Sequence, residues 1–535
     1  MTNSDTAITM RSSARQIPVS RLLSAARELQ KSRVAVLLKQ AVPSSFPRAL
    51  RSRLWDDQDD DHHNSIKLNS GPTTWMDGLR GCAALVVFNY HFFFAFTDST
   101  AIGLGVDEQH RSIVELPFIR LLYDGATCVN IFFVVAGYVC SAKALQLMTA
   151  GHSHEKVLSS LSSSVFRRFF RLYLPVMCMT FISALTAYLG LFEGLRDMIV
   201  QKDVYFRPQF TEPSLRRCAT LGGQLHFWLE ELYKLSDVWR IGPFYPEHDP
   251  HLWTIGYEAR MSMHLYIALV GLAKCKPRVR LFGLIALALL YTVWNRWEGP
   301  LFFLGAALAQ CDAIVNHHPR VVARKQQEAP LLNHDQLPSS PTTQSTRTTH
   351  AAISRRALRC AAYIFALYLM SYPISGWKKP APGFVWVNGF IPAFYSRKEK
   401  FPKSIGVLLF VTLLHTSRNR IGSPDSDSPN GPWASASFWH RVFTSRFARY
   451  LGEHMFALYL VHGTVLHVVG YGIPHLVWGV IGGRQGAVRW LAGVVVGWTA
   501  SLTLCLLVAE LFTRQVDARC ARFIKRLEGF CMQDD

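Results

Sequence analysis

The sequence predicts an all-α, polytopic membrane protein with about ten transmembrane helices and both termini cytoplasmic. Three observations predict it. Of 535 residues, 50% are apolar and only 18% charged, enough apolar sequence for many spans. Mean hydropathy is a modest +0.13, as expected when long polar segments dilute the spans. Lys and Arg crowd beside the apolar runs, as positive-inside topology requires. The net charge of +20 is thereby explained without nucleic acid, and no zinc-finger, basic-zipper or RNP-type motif is present. The 11 cysteines form no CxxC pair, so neither a disulfide framework nor a zinc site is predicted.

Residues 1–74 read as a basic cytoplasmic leader with no apolar signal region. Within it, Ser20–Gln40 is either an amphipathic helix on an anionic membrane face or a tail with transient helix. WDDQDDDHHNS reads as a solvated acidic linker. The membrane domain is expected over 75–512. Its first span, Trp75–Phe96, carries Arg80 and His91. The second, Phe118–Ala144, carries the polar Asn130 among small residues suited to close helix packing. Arg167, Arg168 and Arg171 form a cytoplasmic-type flank before the third, Leu172–Leu191. The mixed stretch that follows includes GGQLHFWLEELYKL, an interfacial amphipathic helix by pattern. A fourth span opens at HLWTIGYE and contains Glu258. Spans five to eight fall at Leu281–Trp294, Pro300–Val315, Leu358–Ile374 and Ser404–Thr416. Between six and seven, the Pro/Ser/Thr-rich basic insert at 317–356 reads as a disordered cytoplasmic loop. The ninth span begins LGEHMFALYLVH, burying His462, and the tenth is Trp490–Phe512, followed by a basic cytoplasmic tail, 513–535.

Arg80 and His91 are eleven positions apart, so a helix sets them roughly 20° apart in azimuth on one stripe about 16 Å long. An ionisable group inside the membrane costs about 2.5–3.5 kcal/mol and usually faces the protein interior. A snorkelling arginine and a carbonyl-bonded histidine are the plain alternatives; the shared stripe favours a site. His91 lies ~22 Å from the inner face and Glu258 ~9 Å from the outer face of a ~30 Å core, nearly one height. A histidine oriented by a carboxylate equips a general base for a hydroxyl. Arginines at the cytoplasmic mouth suit a phosphate-bearing acyl carrier, although Arg167, Arg168 and Arg171 also serve as topology signals. For Glu258 the alternative is an ion pair with Arg260 or with a neighbouring helix. There is no GxSxG elbow, Walker A loop, HExxH or GxGxxG in a βαβ setting, so direct transfer without an acyl-enzyme is the simpler chemistry. A permease using the same charges as a proton relay is the alternative function; no internal repeat supports it.

At these residues the chain resembles the acyltransferase-3 family of multi-pass membrane acyltransferases. Asp77–Gly81 with Arg80 and His91 looks like the family's DGLRG and Arg-x10-His opening. VNIFFVVAGYV (Val129–Val139) is similar to GVDxFFxxSGF, RRFFRLYLP to RRxxRLxP, LWTIGYE (Leu252–Glu258) to LWSLxxE, and LGEHMFALYLVH (Leu451–His462) to LGxxSYxLYLxH. The ordered set covers roughly Trp75–Phe512. It departs from the family at Asn130, an acidic position there, and at Ala136, a serine there. The resemblance implies transfer of a short acyl group, such as acetyl, from acyl-CoA reached from the cytoplasm. The acceptor would be a hydroxyl on a secondary metabolite, lipid or glycan, as in the fungal branch. Catalytic residues would be His91 as base, Arg80 for the donor phosphate or the oxyanion, and Glu258 to orient His91. Asn130, Arg167, Arg168, Arg171 and His462 would bind substrate. No bound cofactor or metal is expected. The membrane would be an endomembrane or the plasma membrane.

Overall fold

The computed structural model describes residues 73–201, 205–207, 210, 212, 214–240, 242–328, 347–418 and 435–532. The leader, with its expected amphipathic helix and acidic linker, and the middle of the 317–356 insert lie outside the described residues. Lys67–Val477 with Arg484–Asp535 forms one compact unit, and the packing below lies within it. The segment Trp478–Gly483 belongs to the other unit and carries two left-handed glycines, Gly482 and Gly483.

The described residues are helical, with no strand among them. In chain order the main helices are α1 (Thr74–Phe94), α2 (Gly125–Thr149), α3 (His154–Tyr188), α4 (Leu221–Ser236), α5 (Trp253–Gly271) and α6 (Pro277–Val293). They continue with α7 (Glu298–Glu328), α8 (Arg347–Met370), α9 (Lys400–Arg418), α10 (Arg446–Val465) and α11 (Ala487–Phe512). Each of the ten expected spans overlaps one of these, and α4 is the expected amphipathic helix. The stretches Gly125–Thr149, His154–Tyr188, Glu298–His317, Arg446–Val480 and Ala487–Cys531 are long and apolar enough to cross a bilayer, and Ala357–Met370 is a shorter apolar helix. Helix α1 falls short of that hydropathy because Asp77, Arg80, Asn89 and His91 interrupt it. Along α11, Leu491, Val495, Val496 and Leu511 stay exposed while Gly497, Ser501, Cys505 and Ala509 are buried. One face packs inward and the other is fit for lipid.

Several boundaries differ from the sequence expectation, and α7 runs to Glu328 while α8 starts at Arg347, so the described edges of the insert at 317–356 are helical rather than loop. The second span begins at Gly125 rather than Phe118, because Asp124 caps α2 by accepting from the Thr127 N–H at 3.1 Å, and Phe118 takes a left-handed φ of 70°. The third begins at His154, since the arginine-bearing flank is itself helical and continuous with the span. The ninth is broken by a π turn at Leu466–Gly470 after α10. The tail is also helical: a second π turn, Thr513–Asp517, carries the chain into Ala518–Cys531.

Small residues set the helix crossings, as they do where lipid offers no hydrophobic drive between helices. Helix α1 meets α10 at Gly81 and Gly452, where an added Cβ on either glycine would enter the other helix's backbone. Gly137 and Gly305 perform the same service where α2 crosses α7. Around these crossings runs one apolar core shared by α1, α2, α3, α5, α6, α7, α8 and α9.

Candidate active site

The close α1–α10 crossing aims the last turn of α1 at the C-terminal half of α10, where the histidines gather. His91 Nδ1 lies 3.1 Å from Glu212 Oε1. Glu212 comes from the irregular stretch between α3 and α4 and acts as a hub. Its Oε2 lies 3.1 Å from His467 Nε2 and accepts from the Tyr471 hydroxyl at 3.0 Å. His251 Nε2 stands 3.5 Å from Oε1. Burial alone would raise the Glu212 carboxyl, but the surrounding His251, His467 and His91 donors hold it well below the usual carboxylate range.

A second carboxylate, Asp249, sits 2.6 Å from His251 Nδ1 and also accepts the His251 N–H at 3.0 Å. The Tyr459 hydroxyl donates to the His251 carbonyl, tying this turn to α10. The loop delivering Asp249 and His251 is anchored on α4. Glu231 accepts from the backbone N–H groups of Glu247 (3.0 Å) and His248 (3.1 Å) and lies 2.6 Å from His248 Nδ1. Burial opposes its ionisation, but these bonds prevail and lower its pKa. His462 completes the cluster: its Nδ1 faces the Tyr459 carbonyl at 2.7 Å. Its ring lies 4.7 Å from that of His251 and 5.4 Å from that of His91.

The π turn explains how α10 contributes twice. Five residues of regular helix would leave His462 and His467 roughly 140° apart; the wider turn brings His467 round to Glu212. Gly463 makes room for the Asp249–His251 pair. A Cβ there would sit 2.5 Å from His251 Nδ1 and 2.7 Å from Asp249 Oδ1. Gly463→Ala is therefore expected to leave the helix intact while lowering turnover on the order of 10²-fold through misplacement of the pair. Turnover measured beside helical content checks this, and unchanged turnover would show the pair to be idle.

One nitrogen from each of His91, His251 and His462 falls within 4.8 Å of the others, a spread compatible with a metal ion. His251 Nδ1 faces Asp249, while its Nε2, 3.5 Å from Glu212 Oε1, and His462 Nε2 have no hydrogen-bond partner among the described residues, so both nitrogens are open to a proton or an ion.

Beside the cluster opens a cavity of about 200 Å³. His91, His251 and Tyr459 form one part of its wall, and Trp253, Trp297 and Lys400 another.

The predicted residues divide into two groups. His91 and His462 come together, but the expected His91–Glu258 pair does not form. Glu258 instead accepts from the Arg168 guanidinium, whose Nε also donates to Ser262 Oγ at 3.2 Å. His251, whose ring centre lies 3.9 Å from that of His91, holds the level of His91, while Glu258, further along α5, falls at the Arg80–Arg168 end; Glu212, from a loop, occupies the place beside His91. Of the two alternatives read for Glu258, the ion pair with a neighbouring helix forms, through Arg168 of α3, while Arg260 meets Glu298 at 2.9 Å instead. Arg80 senses the charges of Glu258 and Arg168, and its buried Nε has no hydrogen-bond partner among the described residues. Asn130 is fully buried, donating to Ser404 Oγ at 3.2 Å and accepting from Lys400 at 3.4 Å. Arg167 turns to Glu528 at 3.5 Å, and Arg171 is exposed near Asp517; neither reaches the cavity. Glu212, Asp249, His251, His467 and Lys400 were not singled out from sequence. The run Asp249-Pro250-His251 directly ahead of LWTIGYE was a usable signal; Glu212 had none, being an isolated acid in irregular chain.

Comparison with known proteins bears on the same residues. An acyltransferase domain matches 73–510, spanning α1 to α11. O-acetyltransferase PaAT-1 of Phomopsis amygdali is 28% identical over 465 residues, covering 83% of this chain and 82% of its own. Acyltransferase R4 of a Phoma species is 25% identical, over 87% of this chain and 97% of its own. Acyltransferase clz18 of Cochliobolus lunatus is 24% identical, over 85% and 96%. No solved structure matches. With the domain spanning nearly all the described helices, the chain belongs to the acyltransferase-3 family and is a membrane acyltransferase of the non-aminoacyl kind, not the permease its buried charges left open.

Proposed function

We propose that this protein transfers a short acyl group, acetyl in the first instance, from acyl-CoA to a hydroxyl of a secondary metabolite, lipid or glycan. The observation that carries the reading is His91, whose Nδ1 is held against Glu212 while its ring walls the cavity. With Nδ1–H donated to the carboxylate, Nε2 keeps the lone pair of a general base. His91 Nε2 takes the acceptor's hydroxyl proton, and the alkoxide oxygen bonds to the thioester carbonyl carbon. The C–S bond then breaks, and the departing CoA sulfur receives the proton from the imidazolium. Glu212 orients His91 and stabilises its charged form. Arg80, with Arg168 held by Glu258, offers guanidinium groups toward the cytoplasmic end of the α1 stripe for the donor's phosphates. No resident cofactor or metal enters this scheme. Ten spans with both termini cytoplasmic, in an endomembrane or the plasma membrane, complete the reading. The printed name of PaAT-1 supports acetyl as the group to try first.

The test is release of CoA thiol from acetyl-CoA by purified, detergent-solubilised protein across a panel of hydroxylated metabolites, lipids and glycans. Thiol release that requires an acceptor, with the acceptor gaining an acetyl mass, is the expected result. Thiol release without any acylated acceptor would replace the transferase reading with thioester hydrolysis.

A further inference from the structure

Lys400 begins α9 and is buried, at 6% exposure. Its ammonium donates to the Ala126 carbonyl at 3.1 Å and to Asn130 Oδ1 at 3.4 Å, and lies 4.5 Å from the Trp297 ring centre. These are neutral partners. No carboxylate lies within ion-pair distance of it among the described residues. Of the nearby acids, Glu399 lines the same cavity but faces Arg397, also in its wall, at 3.9 Å, and Asp124 is held by Lys403. A buried cation lacking a counter-ion carries a desolvation penalty of several kcal/mol, only partly offset by carbonyl oxygens and an aromatic face. This one lines the same cavity as His91.

We propose that Lys400 receives an anionic group of the bound substrate, so that the cavity admits molecules bearing a carboxylate or phosphate beside an aromatic or apolar body. The inference rests on the reading of this cavity as the acyl-transfer site. The aromatic walls Trp253, Trp297 and Tyr459 accept the apolar body, and the anion replaces the counter-ion that the protein does not supply. Two sources share this chemistry. A carboxylate on the acceptor would let Lys400 select hydroxy acids over their neutral analogues. A phosphate of the donor would instead make Lys400 part of the CoA site.

The experiment measures binding without turnover, using phenylacetate, its neutral isostere phenylacetamide, and CoA. Wild type is compared with Lys400→Met, which keeps the stem over Trp297, and with Lys400→Arg, which keeps the charge. If the acceptor supplies the anion, phenylacetate binds wild type roughly tenfold tighter than phenylacetamide. That preference disappears in Lys400→Met and survives in Lys400→Arg. If the donor supplies it, the two small probes bind alike and CoA binding weakens roughly tenfold in Lys400→Met alone. Affinities for all three probes that ignore Lys400→Met, or no binding by any of them, would overturn the inference. Intact anion binding in a protein that transfers no acyl group would overturn the proposed reaction and leave this inference standing.

Discussion

Glu212→Gln lowers acceptor-dependent acyl transfer by about 10²–10⁴ without unfolding the protein, and His91→Ala falls in the same range. In the proposed mechanism the carboxylate sets the His91 tautomer and pairs with the imidazolium formed when the acceptor loses its proton. A glutamine amide has nearly the same volume but no charge, and its NH₂ group can turn toward Nδ1 and favour the wrong tautomer. Because both residues act as one unit, the double variant is expected to be no slower than the slower single one. Glu258→Gln makes the contrast. It loosens Arg168 and is expected to raise the KM for acyl-CoA more than it lowers kcat. Steady-state rates for the four variants, with melting curves as a folding control, check the set. Near-normal turnover in Glu212→Gln would return the orienting role to another group, and a kcat loss in Glu258→Gln equal to that of His91→Ala would restore the pairing read from sequence.

Lys403→Met destabilises the folded protein by about 3–5 kcal/mol, the usual consequence of stranding one member of a buried ion pair. Lys403 and Asp124 have side-chain exposures of 0% and 2% and meet each other across the α9–α2 contact. Asp124 also caps α2 through the Thr127 N–H. Removing the lysine leaves a carboxylate that must stay charged without a partner or take up a proton. The double variant Asp124→Asn/Lys403→Met carries neither charge, and asparagine still caps the helix. It is therefore expected to recover most of the loss. Thermal midpoints in one detergent, taken for both variants and wild type, measure this. Equal midpoints for wild type and Lys403→Met would show that the pair contributes nothing to stability.

The all-helical character, the approximate positions of the helices and the placing of Arg80 and His91 on one helix were legible in the sequence, because all three are local. An apolar run of bilayer length needs a helix to satisfy its backbone, and eleven residues of helix put Arg80 and His91 on one stripe whatever surrounds them. The family motifs are likewise short runs, readable one at a time and then in order. Which carboxylate meets His91 was another matter. Counting residues inward from assumed membrane faces set Glu258 level with His91, but depth depends on how α5 enters and packs, and it is His251 that meets His91 while Glu258 falls beside Arg168. Glu212 lies in irregular chain 121 residues from His91, with no periodicity to mark it. The π turn that carries His467 to Glu212, and the glycine gap at Gly463 that admits His251, are likewise invisible to a fixed helical period. Sequence by itself determined the helices, the shared helix of Arg80 and His91, and the family. Tertiary structure alone decided the partners, because a long-range contact is fixed by helix crossings and loop paths that no local pattern of apolar and charged residues encodes.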